Sequence, residues 1–129
     1  MAAAGEVIYD AAEAAAMCSW YQGVLRLRDW RVEVVISSKR DMPAKVQAKI
    51  DWNLLRKTAT IRLMRPWDYR RSGFKGAQDM ELDIVHELCH LHLAPLGVDP
   101  DSAEDTAQEQ AIEAISEACV ALVRAKRAS

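Results

Sequence analysis

Two histidines four residues apart, in His86-Glu87-Leu88-Cys89-His90, constrain this chain more than any other feature. The pentapeptide sits in an apolar run that ends at Leu93, and neither proline nor glycine occurs from position 77 to 94. Such a run is expected to be helical from about Ala77 to Leu93, with Asp79, Glu81 and Asp83 favouring its start and Pro95 and Gly97 stopping it. On a helix, residues four apart stand one turn apart on the same face, so both imidazoles reach a single metal ion. Glu87, roughly 100° further round, meets a water bound to that ion and can act as its base. Leu82, Val85, Leu88, Cys89 and Leu93 fill the remaining sides. The motif therefore belongs on a core helix with one polar stripe, and the rest of the chain has to bury that helix around it.

The residues before the motif supply a sheet. Asp10 to about Leu27 is rich in Ala, Leu, Met and Gln and reads as a first helix. The β-branched run Val32, Val34, Val35, Ile36 predicts a strand over Trp30 to Ser37, and Lys39 to Pro43 a connecting loop. Val46, Ala48, Ile50 and Trp52 alternate with polar residues, as do Ala59, Ile61 and Leu63. This period of two predicts half-buried strands over Val46–Leu54 and Thr58–Met64, paired as a hairpin through Leu55-Arg56-Lys57. Pro66 to Gly76 reads as a turn-rich connection. A last helix is expected over Ala103 to Lys126, its apolar stripe formed by Ala107, Ala111, Ile112, Ile115, Cys119, Leu122 and Val123. The expected fold class is α+β: an N-terminal helix, a small antiparallel sheet of about three strands, the motif helix and a C-terminal helix, in one domain over residues 1–129.

Composition narrows the setting. The formal net charge of −2 and a hydrophobic share of half the residues argue against disorder and against a nucleic-acid partner. Basic residues cluster at Arg56-Lys57, Arg62, Arg65 and Arg70-Arg71, and read as a solvated face. Glu6, Asp10 and Glu13 interrupt any signal-peptide core, and no apolar run is long enough to span a membrane. Cys18, Cys89 and Cys119 are odd in number and widely spaced, which suits free thiols and a cytoplasmic location.

Two histidines leave a third ligand to be found, with the fourth position kept for water. No histidine follows His92, and the three cysteines form no CxxC pair, so the remaining donor is sought among the acids of the last helix. Glu109 lies nearest the edge of the expected apolar stripe, and Glu113 and Glu117 lie further round. Glu109 is therefore taken as the ligand. Glu113 is the second choice, or an acceptor for the free N–H of a ligating imidazole. His92 projects toward the apolar side and is expected to be a hydrogen-bonded core histidine, and Cys89 a small core residue. Asp79 and Asp83 are assigned dipole and solvation roles. The four tryptophans are assigned to core or rim packing.

His86-Glu87-x-x-His90, followed after eighteen residues by Glu109, resembles the gluzincin pattern of thermolysin-like and minimal zinc peptidases. Short HExxH proteins, many of them phage-encoded, are similar over about residues 77 to 124. The resemblance implies a zinc cofactor, peptide-bond hydrolysis with Glu87 as general base, and a peptide or protein substrate added along an edge strand, for which Thr58–Met64 is the candidate. Glu113-Ala-Ile-Ser also resembles the glutamate segment of thermolysin, which would make Glu113 the ligand and Glu117 the supporting acid. Tyr69, Arg70 and Arg71 are candidates for the group that stabilises the oxyanion. The alternatives are a non-catalytic, zinc-stabilised protein-binding module, and a regulator that cleaves one specific partner.

Overall fold

A computed structural model of the chain describes residues 5–129 and shows an α+β fold. The first helix, α1, spans Ala11–Val24. Asp10 and Glu13 form a reciprocal capping box at its start, which satisfies amide donors that a helix otherwise leaves free. Three strands follow: β1 (Arg31–Ser37), β2 (Ala48–Asn53) and β3 (Thr58–Met64). Pro66–Arg71 forms a short helix, α2, with proline at its first position, where a missing N–H costs nothing. The expectation for this segment was a turn-rich connection. The motif helix α3 spans Met80–Leu93, capped by the Asp79 carboxylate on the Leu82 amide at 3.1 Å. Helix α4 spans Ala103–Ala128, capped by Ser102.

The sheet is mixed, with strand order β1-β3-β2. The β2–β3 hairpin is antiparallel, as the alternation of residues predicts. β1 departs from the expected antiparallel arrangement by pairing parallel with β3, Val34 opposite Ile61. This places Thr58–Met64 in the centre of the sheet, so it cannot serve as the substrate-facing edge. β2 is the free edge on that side. The parallel pairing also dictates the path between strands: β1 and β2 flank β3, so the chain over residues 38–47 crosses the end of β3. That crossing is tied down by Met64 N–H donating to Gln47 C=O at 3.1 Å and Arg65 N–H donating to Ser37 C=O at 2.9 Å.

One face of the sheet packs on the helices. Val32, Val34 and Ile36 of β1, Ala59, Ile61 and Leu63 of β3, and Ala48 and Ile50 of β2 turn toward α1 and α3. Ile84, Val85, Leu88 and Leu91 of α3 meet them, with Cys18 and Tyr21 from α1 and Ile112 and Val120 from α4. The stripe of α4 lies rotated from expectation. Ile112 is buried and Cys119 and Val123 are half-buried, but Ile115 and Leu122 are 58% and 73% exposed, and Ser116 and Val120 take the core positions instead. A buried charge cluster explains the rotation. Glu81 of α3, 1% exposed, accepts from Tyr21 Oη at 2.7 Å, from Arg124 Nε at 2.9 Å and from Arg127. Arg124 also grips both oxygens of Asp79 at 2.8 and 2.9 Å. Burial pushes the Glu81 carboxyl up, but these three donors outweigh it and hold it below the ordinary range. Orienting Arg124 and Arg127 toward α3 turns the Ser116–Val120 edge inward with them.

Candidate metal centre

Helix α3 presents its polar stripe along β2. Capped at Asp79 and buried through Ile84, Val85, Leu88 and Leu91, the helix has little freedom to rotate, which fixes where His86, Glu87 and His90 emerge. They open into a cleft of about 860 Å³ bounded by Gln47, Ile50 and Trp52 on the β2 side and by Asp105, Glu109 and Glu113 on α4. Glu109 bridges the two histidines. One carboxylate oxygen lies 2.7 Å from His86 Nε2 and the other 3.4 Å from His90 Nε2. Among the described residues these three side chains form the one group whose donor atoms all lie within 4.8 Å of one another. Glu113 lines the cleft but stands outside that group.

The donor set suits a zinc ion. One donor atom from each of the three residues lies within 4.8 Å of the others, close enough for a single ion to reach all three with small side-chain adjustments. Two imidazoles and one carboxylate would hold such an ion from the protein side and leave the cleft free for a water or substrate. Burial lowers the His90 pKa, which favours the neutral ring that a metal requires. Trp52 stacks over the His90 ring, centroids 6.4 Å apart and planes 22° apart, and limits how far that ring can swing. Its place follows from strand parity: Trp52 shares the face of Ala48 and Ile50, so it turns toward α3 beyond the end of the core. The rim packing expected of Trp52 is made on one of the two motif histidines.

Glu87 is 7% exposed and flanks the group from the same helix. Burial first, then the neighbouring Asp83 and Glu109 carboxylates, push its pKa up to about 8. Asp83 was assigned to solvation, yet it is 6% exposed. One of its oxygens accepts from Gln47 Nε2 at 3.0 Å, and the other is buried without a hydrogen-bond partner. Burial raises its pKa to about 7 against the lowering effect of Gln47. The cleft thus gathers more carboxyl groups than ammonium groups, with Asp83, Glu87, Asp105, Glu109 and Glu113 against Lys45 and Lys49, an arrangement that a bound cation would favour.

His92 differs from expectation. Its Nε2 does make a hydrogen-bond contact, 2.7 Å from the Leu25 carbonyl oxygen, but the residue is exposed rather than in the core. Cys89 is buried, and burial pushes its thiol up to about 11, consistent with a small core residue. All three cysteines are free. Of the candidates for an oxyanion stabiliser, Tyr69 is buried and donates to the Gly76 carbonyl at 3.2 Å, Arg70 pairs with Glu6 at 3.1 Å, and Arg71 lies over the Trp67 ring. None of the three lines the cleft. Within the basic cluster, Lys57 and Arg65 also pair with carboxylates, those of Asp29 and Asp68. No helix among the described residues is long and apolar enough to cross a membrane. No family model, curated protein or solved structure matches the chain.

Proposed function

We propose that this protein is a zinc-dependent peptidase in which His86, His90 and Glu109 hold the metal and Glu87 is the general base. The observation that carries the reading is the convergence of the three donors on one point beside a buried glutamate, in a cleft open to an edge strand. Zinc held there would supply a Lewis acid and lower the pKa of a water at the open position.

The chain's own residues account for the rest of the chemistry. The free edge of β2 takes an extended peptide by backbone pairing and lays its carbonyl over the triad. Glu87 accepts the proton of the attacking water as the C–O bond forms, then delivers it to the amine nitrogen as the C–N bond breaks. Its place beside the triad suits both tasks, taking a proton in the first step and releasing it in the second. Trp52 keeps the His90 ring in place through the cycle.

Glu87→Gln separates this reading from a zinc-stabilised binding module. The variant is expected to lose cleavage of a quenched peptide library while its zinc content and melting temperature stay near wild type. A wild-type protein that holds one equivalent of zinc and cleaves neither the library nor casein would refute a peptidase of general specificity and leave the binding module or the regulator that cleaves one partner.

A further inference from the structure

The cleft runs on past Asp83. Lys45 and Phe74 line both the triad's cleft and a second cavity of about 1000 Å³. This cavity is a product of the mixed sheet: the segment that crosses the end of β3 forms one wall, and α2 with the turn after it forms the other. Its floor is apolar. Met42 and Met64 are buried there, and Phe74 stacks on Tyr69 with centroids 5.2 Å apart.

Its rim is cationic, with Lys39, Arg40, Lys45 and Arg65. The one carboxylate in the lining, Asp68, is already engaged by the Lys39 backbone N–H at 2.8 Å and by Arg65 Nε at 2.6 Å, contacts that lower its pKa. Among the described residues, no carboxylate pairs with the side chains of Lys39, Arg40 or Lys45. A chain of net charge −2 therefore gathers three unneutralised cations over an apolar hollow at the end of its cleft.

We propose that this cavity is a specificity subsite that selects peptides carrying a large apolar side chain flanked by carboxylates, a few residues from the bond over the triad. The apolar floor takes the side chain and the rim cations take the acids. Direction follows from β2. Trp52 marks the His90 end of the strand and Gln47, bonded to Asp83, marks the other, so a peptide running along β2 passes the triad and reaches the cavity over Lys45. The proposal rests on the peptidase reading and is tested so that the two can fail separately.

Binding is measured with zinc-loaded Glu87→Gln protein and fluorescein-labelled peptides carrying Glu-Phe-Glu, Lys-Phe-Lys or Glu-Ala-Glu in a Gly/Ser background. Anisotropy should show Glu-Phe-Glu binding about tenfold tighter than either control, the effect expected of two partly exposed ion pairs against Lys-Phe-Lys and of one partly buried ring against Glu-Ala-Glu. Adding Lys39→Glu and Arg40→Glu should erase or invert the charge preference. Both side chains are exposed and unpaired among the described residues, so circular dichroism and melting should not change. Equal binding of the three peptides, or a preference that survives the double charge reversal, overturns the subsite. If the wild type cleaves all three peptides at one rate, the subsite falls and the peptidase stands. If Glu-Phe-Glu binds preferentially but nothing is cleaved, the peptidase falls and recognition by the cavity stands.

Discussion

Asp83→Asn should flatten the pH dependence of stability of the metal-free protein. Asp83 is 6% exposed, one oxygen has no partner, and its pKa rises from 3.8 to about 7. The sign follows from linkage. A carboxyl whose pKa is raised on folding binds its proton more tightly in the folded state, so its stabilising contribution is full below the unfolded pKa and is lost as pH rises through the folded one. A shift of roughly three units corresponds to about 4 kcal/mol across the whole range. Between pH 5 and pH 8, where the unfolded carboxyl is already ionised, the change is roughly 2.5 kcal/mol. For a domain of this size that is a fall in Tm of roughly 8 °C. Asparagine keeps an acceptor for Gln47 and has no such titration. The assay is thermal melting by circular dichroism in chelator, wild type against Asp83→Asn, from pH 5 to pH 8. Wild type should lose about 8 °C more than the variant over that interval. Glu87 adds to the difference, because removing the Asp83 charge also eases its ionisation. Parallel Tm curves for the two proteins would show that Asp83 is solvated or relaxed on ionisation, and the reasoning from its burial would be wrong.

Zinc should raise the wild-type Tm, by about 4 kcal/mol of added stability at a free concentration a thousandfold above Kd, and should do so far less for His86→Ala. In competition titrations Glu109→Ala should weaken zinc binding by more than about a hundredfold, the upper cost of losing a mere supporting group, and Glu113→Ala by less. The reverse ranking would make Glu113 the ligand. Arg124→Met should cost about 2 kcal/mol in urea unfolding, below the full penalty for an orphaned buried charge because Arg127 still reaches Glu81. Adding Glu81→Gln should restore part of the loss, and a strictly additive double mutant would count against the cluster. Ile61→Ala, at a fully buried position in the central strand, should cost about 2–5 kcal/mol by the same method.

Local periodicity was enough to determine much of this protein. Helical runs around Ala11–Val24, Met80–Leu93 and Ala103–Ala128, alternation in the two hairpin strands, and the placing of His86 and His90 on one face with Glu87 beside them all follow from residues close together in sequence. The meeting of Glu109 with both imidazoles was legible because, among the acids of α4, it is the one nearest the edge of the expected apolar stripe. Even so, that stripe was drawn too wide: Ile115 and Leu122 look like core residues until Arg124 and Arg127 are seen to turn toward Glu81.

Only tertiary structure decided the rest. Whether β1 joins β3 parallel or antiparallel depends on how a ten-residue connection crosses the sheet, and backbone hydrogen bonding is satisfied either way. Pairing β1 with β3 rather than with β2 leaves Ala48–Asn53, not Thr58–Met64, as the free edge beside His90, and the segment that must then cross the end of β3 walls the basic-rimmed cavity. Side-chain periodicity tells which face a residue occupies, but whether that face meets water or a neighbouring strand is settled by residues dozens of positions away.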